Sequence, residues 1–548
     1  MTDNLQDELK GQLIIGIDLG TTKSGVAVYS EAEGKPVMLR DENGDDTIPS
    51  IVAWDTATND WLVGKPAKAV LETRPWDVAY SVKRFIGRAF SDSAVATGRN
   101  SVTYAITGGG GTDLLRDVQV RFGEGNAVHH TLSVPEISAK VLARLRQTAA
   151  RALNLPLEAV TYAVITIPAY FDMRQRMATR LAGQLAGLDV RAILHEPTAA
   201  ALAHGDELLA ADERTILVYD LGGGTFDITL LDVKRDEQGY QFFTRLIDGN
   251  TQLGGDDIDA DIARLITQRV EQFSGDQVQQ DDVRTRSRLR LAAERAKQAL
   301  TTEESCTFTL KDVDLGSRAP FDVAVTITRA EMDACAQRTI KRAHDITERA
   351  VRQIDGIEWS EIHDVVLVGG QTQMPAIQRD VAELTGKKPH VSDRPQTAIA
   401  LGAAKFAHML SLGSARFEQH ALTSAIALAL GIRLHDNKFF KLVNANVNVP
   451  HQSQETEIKT IKDDQTEIVV EILQGRQDAT QADECVSLGS IRMEVPPAPA
   501  GQNRYTVRFN VAADGTMTVL VTDPRRNRSE DLTVGDTSLV VFREPRKT

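Results

Sequence analysis

Two short acidic turns constrain this chain more than anything else in it. The run "LIIGI" leads into "DLGTTKS" at residues 18–24, and "TILVY" leads into "DLGGGTFD" at residues 220–227. In both, an apolar strand-like run ends on an aspartate; a glycine-bearing turn, a hydroxyl and a second strand-like run follow. Glycines let backbone N–H groups turn toward a ligand and let phosphate oxygens approach closely. Thr21 and Thr22 in the first turn and Thr225 in the second add hydroxyl donors. Asp18, Asp220 and Asp227 repel phosphate, so they belong there only if a divalent cation and its waters stand between, as Mg²⁺ prefers. Either turn alone is equally well a tight β-turn with a solvated aspartate. Two copies, about 200 residues apart at equivalent places in two halves, read as the jaws of a nucleotide clamp.

A third glycine site extends the series. "LVGGQTQMPAIQ" at 367–378 reads as a strand, a Gly369–Gly370 turn and a helix beginning near Pro375, where a nucleoside or an α-phosphate sits against backbone. Around these sites the first 410 residues alternate strand-like runs, such as "AVITIP" (163–168) and "DVVLVGG" (364–370), with helical patterns. Ser133 with Glu136, and Thr328 with Glu331, form capping boxes ahead of two of those helices. After about residue 412 the texture changes to short alternating runs, among them "TEIVVEIL", "RYTVRFNV" and "TMTVLVTD", separated by turn signals such as "PPAPAGQN". The expected organisation is an α/β domain over 1–411, a linker over 412–424 and an all-β sandwich over 425–548.

Composition excludes several classes. With 548 residues and a net charge of -14, the chain is long enough for several domains and poorly suited to neutralising nucleic-acid phosphates. Cys306, Cys335 and Cys485 are far apart and form no CxxC pair, against a disulfide framework or zinc site. The N-terminus is polar and acidic, and the longest apolar run, "ALTSAIALALGI", is too short to span a bilayer. The expectation is a cytoplasmic protein with neither nucleic-acid nor membrane partners.

Taken in order, "GIDLGTT", "PAYFDMRQR", "HEPTAAALAHG", "DLGGGTFDITLLD", "NTQLGGDDIDADI", "AAERAKQALT" and "VLVGGQTQMPAIQ" resemble the seventy-kilodalton heat-shock chaperone family of the DnaK type. The resemblance runs from about residue 13 to 410 and more loosely to near 540. It implies an actin-like two-lobed ATPase domain followed by a peptide-binding β-sandwich. It also implies ATP and ADP as ligands, with Mg²⁺ and K⁺ as cations. Asp18, Asp220 and Asp227 would organise the metal and the attacking water, and Glu196 would contact the metal's water shell. Gly20, Thr21, Thr22, Thr225 and the Gly222, Gly223, Gly224 turn would hold the β- and γ-phosphates. Lys68 of "GKPAK" would match the lysine facing the γ-phosphate. Glu294, Lys297 and Thr301 fall where the family contacts ribose and base, with Gly369, Gly370 and Gln371 completing the pocket. Gln298, Gln371, Gln373 and Gln396 replace residues that stack on or charge-pair with the nucleoside in many members, which would weaken affinity or speed exchange.

Downstream signalling is less regular. Pro168 and Arg176 reproduce the family's allosteric relay, but Ala192 stands where an arginine is usual, with Arg191 one position away. The linker carries Leu422 and Ser424 in place of the usual leucines and aspartate. In the tail, alternation puts Ile468, Val470 and Ile472 on one face. By position Ile468 and Val470 would line a peptide pocket, with Ile432, Leu434, Ile458 and Ile461 nearby. No helical lid follows, so the chain is expected to be a short, lidless member that releases peptide quickly. The expected function is an ATP-dependent chaperone that binds exposed hydrophobic segments of unfolded proteins, served by a J-domain co-chaperone and a nucleotide-exchange factor. The alternatives are a holdase or exchange-type co-chaperone that binds ATP with little cycling, and a small-molecule kinase or filament former of the actin-like superfamily.

Overall fold

The structure is a computed structural model that describes residues 11–110, 113–208, 213–236, 239–278, 282–313, 321–353, 357–391, 395–412, 422–423, 425–512 and 515–534. Most of the expected 412–424 linker and the segment from 535 onward lie outside the described residues, as does Ser424.

Each acidic turn is the tip of an antiparallel hairpin in its own mixed sheet. In the first sheet, Ile14–Leu19 pairs antiparallel with Lys23–Ser30 and parallel with Tyr162–Ile167, which pairs in parallel with Asp189–His195. In the second, Glu213–Leu221 pairs antiparallel with Phe226–Asp236 and parallel with Asp364–Val368, which pairs in parallel with His390–Val391. The outer strands Lys35–Met38 and Gly239–Asn250 occupy matching antiparallel positions. The pattern thus occurs twice, and in each copy the aspartate comes at the end of a strand buried along most of its length. Such strands read as continuous apolar runs because both sheet faces are covered.

Two helices, Glu196–Leu208 and Ala398–Ser411, fill the space between the sheets. One buried cluster joins Ile14 and Val164 of the first sheet, Val218 and Val233 of the second, and Ala199, Ala403 and Phe406 of the helices. Small residues permit the close crossing. A Cβ on Gly402 would lie 1.7 Å from the Ala199 carbonyl oxygen, and one on Gly16 would lie 2.2 Å from the Ala404 nitrogen. Gly402→Ala is therefore expected to cost about 3 kcal/mol or more, since backbone cannot retreat as a side chain can; chemical denaturation measures this, and a cost under about 1 kcal/mol would contradict the packing.

Both predicted capping boxes form. Glu136 accepts from the Ser133 backbone N–H at 2.8 Å, and Glu331 accepts from the Thr328 N–H at 2.9 Å.

The C-terminal region is β-rich. One sheet orders Phe439–Val443, Ala429–Arg433, Glu467–Gly475 and Val486–Glu494; another is built on Arg504–Val511, Met517–Asp523 and Arg528–Val534. Alternate residues of each face a shared core, including Ile472 and Ile491 from one and Tyr505, Val507, Phe509 and Val519 from the other. Among the described residues, no helix is long and apolar enough to cross a membrane.

Candidate functional site

The two hairpin tips meet. A Cβ on Gly223 would fall 1.9 Å from Thr22 Oγ1, and one on Gly224 would fall 2.5 Å from Thr21 Cγ2, so only glycine lets the turns approach this closely. Behind the tips lies a cleft of about 390 Å³. Asp18, Gly20, Thr21 and Thr22 line it from the first hairpin; Asp220, Gly222, Gly223 and Thr225 line it from the second. Glu196 reaches it from the start of its helix. Gly224 packs instead against Thr21 and Arg84, and Asp227 accepts the Tyr170 backbone N–H at 2.8 Å.

The electrostatics of this end are unusual. Asp18, Asp220, Asp227 and Glu196 are all buried, and Lys83 is the ammonium among them, 2.6 Å from Glu196 Oε1. Burial, then the charge of Glu196, pushes Asp18 up to about 7. The same two causes raise Asp227 to about 8, and Asp220 rises well above the usual carboxylate range through burial and its three acidic neighbours. Among the described residues, Asp220 Oδ2 and Thr22 Oγ1 are buried without a hydrogen-bond partner. Buried carboxylates in such excess over cations, with an orphaned oxygen, fit a bound dication. Among the described residues no three His, Cys, Asp or Glu side chains are arranged to hold a metal directly. A cation that keeps much of its water shell, as Mg²⁺ does, matches that donor set.

Lys68 stands outside the buried acidic group. Its ammonium sits 2.8 Å from both carboxylate oxygens of Glu294, beside a separate small cavity beneath Thr21 and Thr22. The lysine among the acidic groups is Lys83, on the short turn Val82–Phe85 that follows Ser81 in a left-handed conformation. Lys83 is 4% exposed and its ammonium lies over the Phe171 ring at 5.7 Å. The available sequence signal was context: Lys83 stands in "YSVKRFIG", a setting too apolar for an ordinary solvated lysine.

At the far end the cleft is lined by Glu294, Lys297, Thr301, Gly369, Gly370 and Gln371. Gly369 adopts a φ of 83°, and a Cβ there would strike the Leu221 carbonyl oxygen at 2.4 Å. Lys297 is held by Asp259 at 2.8 Å and by the Gly255 carbonyl at 2.9 Å. Gln298, Gln373 and Gln396 line this end too, and among the described lining residues there is no arginine. Lys23, not singled out from sequence, donates to Gln396 Oε1 at 2.9 Å across the mouth.

The residues expected to form a relay, Pro168 and Arg176, lie on the side of the first sheet that meets the β-rich region. Pro168 follows the strand Tyr162–Ile167, and its carbonyl accepts from Phe171 N–H at 3.2 Å. Arg176, on the helix Met173–Leu185, places its guanidinium against Gly515, which a Cβ would bring within 3.1 Å. Arg191 lies over the Tyr162 ring at 4.5 Å and pairs with Asp189 at 2.8 Å. Two further contacts join the regions: Gln474 Oε1 accepts from Met173 N–H, and Asn446 Oδ1 from Ile247 N–H, both at 2.8 Å. Sequence spacing had no means of finding either, since the partners are 301 and 199 positions apart.

The expected peptide-pocket residues divide. Ile432, Ile468 and Val470 are buried in the shared core at 3%, 6% and 5% exposure, with Leu434 and Ile458 packed partly against it. Ile461 is 49% exposed and stands apart from that cluster. Its grouping with the others came by position from the family resemblance; in the structure its neighbour Thr460 is the buried residue.

A sequence model of the family described as Hsp70 protein matches residues 14–541. A chaperone protein DnaK from Buchnera aphidicola subsp. Schizaphis graminum (strain Sg) is 34% identical over 522 residues, covering 95% of this chain and 78% of that protein.

Proposed function

This chain belongs to the Hsp70 family, and on that premise we propose that it is an ATP-driven chaperone that binds exposed hydrophobic segments of unfolded proteins. The observation that carries this reading is the buried acidic group on the two hairpins, with Lys83 and Glu196 paired inside it. In our reading, residues 1–411 form the actin-like two-lobed ATPase domain, 412–424 the linker and 425–548 the peptide-binding β-sandwich.

Mg²⁺, when bound, supplies the positive charge that offsets the phosphates and the carboxylates around them. Asp18 and Asp220 would hold its waters, and Asp227 would extend that acidic wall. Thr21, Thr22, Thr225 and the N–H groups of the glycine turns bind the terminal phosphates. Lys83 presents a buried ammonium to the γ-phosphoryl oxygens, where charge develops during transfer. Glu196 fixes Lys83 and accepts a hydrogen bond from the attacking water. Lys68, bound to Glu294, instead ties the first half of the chain to the helix Val283–Leu300 over the cleft.

The Asp227–Tyr170 hydrogen bond, the Met173–Gln474 hydrogen bond and the Arg176–Gly515 contact form one continuous route from phosphate site to β-rich region. We propose that ATP favours this docked arrangement, and that undocking lets the sandwich close on peptide near Ile468 and Val470. A J-domain co-chaperone and an exchange factor would act on this cycle. The expected result is that ATP weakens binding of a short aliphatic peptide about tenfold relative to ADP, and that Gln474→Ala removes most of that difference. Fluorescence anisotropy measures both; equal peptide affinity with ATP and ADP in the unaltered protein would defeat the coupled-chaperone reading. The glutamine-lined nucleoside end favours a second reading, a holdase or exchange-type co-chaperone with rapid nucleotide loss, which predicts peptide binding indifferent to nucleotide.

A further inference from the structure

A second cleft, of about 420 Å³, opens beside the first. It lies between the segment 80–103 on one side and the helices Gly255–Ser274 and Val283–Leu300 on the other. Four guanidinium groups line it: Arg84, Arg264, Arg286 and Arg290. Three of them are engaged. Arg84 pairs with Asp257 at 2.6 Å, Arg290 lies over Tyr80 at 3.9 Å with Asp256 at 3.4 Å, and Arg264 pairs with Asp261.

Arg286 differs. Among the described residues its side chain has no ion pair and no hydrogen bond, and its Nε is buried without a partner. Thr103 Oγ1, which lines the same cleft from the opposite side, is also buried without a partner. The two lining carboxylates are occupied: Asp256 by Arg290 and Arg84, Glu271 by the Val278 N–H at 3.0 Å. The Arg286 Nε and the Thr103 hydroxyl are thus two buried donors in one cavity without partners among the described residues, and unmatched buried groups of this kind mark a missing partner.

We propose that this cleft is a binding site for a small phosphate-class oxyanion, held by Arg286 and Thr103. The fork of a guanidinium matches phosphate geometry, and a tetrahedral oxyanion can take donors from both walls, whereas a planar carboxylate is largely satisfied by one fork. The ligand would bridge the two sides of the molecule. It would also touch the nucleotide cleft, because Asp256 lines both cavities and Arg84 donates to the Gly224 carbonyl at 3.2 Å.

The test is calorimetric titration of inorganic pyrophosphate into the full chain, saturated with Mg²⁺ and a non-hydrolysable ATP analogue so that the hairpin site is filled. One binding event is expected to remain, about tenfold or more weaker in Arg286→Gln and weakened in Thr103→Val, with analogue affinity unchanged in both. Thr103→Val preserves shape, so it tests the site even if the arginine variant folds poorly. Loss of all pyrophosphate binding once the analogue is present would assign it to the hairpins and overturn the proposal. So would equal affinity in both variants, or tighter binding of citrate than of pyrophosphate.

Discussion

Lys83→Ala is expected to lower ATP turnover by about 10²–10³-fold while the fold persists, the range for removing one preorganised donor from a developing negative charge. Asp220→Asn is expected to fall at least as far, because it removes charge from a carboxylate whose Oδ2 has no partner among the described residues. Lys68→Ala serves as the contrast. Its ammonium is bound to Glu294 rather than to the acidic group, so the variant is expected to keep the chemical step and speed nucleotide release. Single-turnover hydrolysis and stopped-flow release separate these outcomes. A Lys68→Ala protein that fails in single turnover, beside an active Lys83→Ala protein, would reverse the assignment. Circular dichroism guards against loss of structure, which matters because Lys83→Ala also leaves Glu196 buried without its cation.

Without metal or nucleotide, the protein is expected to lose stability as pH rises from about 5 to 8. Asp18 and Asp227 have folded pKa values of about 7 and about 8, far above the unfolded carboxylate value, and Asp220 moves the same way. A raised carboxyl binds its proton more tightly in the folded state, so folding is favoured below the unfolded pKa. That advantage is lost through the window up to the folded pKa. Each group contributes on the order of 1 kcal/mol per pH unit within its window. His195 works oppositely. Burial, then Arg176, pulls it down to about 3, so it costs stability as pH falls below about 6.5. The unliganded melting temperature should therefore peak on the acidic side of neutrality, and Mg²⁺ with ADP should raise it most at pH 8. Thermal scans across pH check this; a liganded-minus-unliganded difference independent of pH would exclude uncompensated carboxylates as its source. Asp227→Asn should flatten the alkaline decline.

The clamp was legible because its parts are local. Asp18 and Asp220 each stand at the end of an apolar strand beside their own turns, and hairpin geometry carries both into one cleft. Lys83 was not legible in that way. It is separated from Glu196 by 113 positions, and Lys68 has the better-looking motif around it. What separates the two lysines is reach. One is enclosed by Phe171 and the carboxylates, the other meets Glu294 beneath the first hairpin. In the β-rich region, alternation correctly identified the face that carries Ile468 and Val470. It carried no information about whether that face opens to a peptide or packs against Tyr505 and Phe509.

By itself the sequence determined the two acidic hairpins, the alternating α/β elements, the capped helices and the change to short strands after residue 412. These follow from interactions within a few residues: periodicity, glycine conformations and caps. Only the tertiary structure decided which lysine joins the carboxylates, that Gln474 and Asn446 bind backbone from the α/β region, and that Arg286 faces a cleft without a partner among the described residues. Those outcomes depend on burial and on distances between segments far apart in the chain. Local spacing does not encode them, because the free energy of a buried charge is set by whatever the whole fold brings beside it.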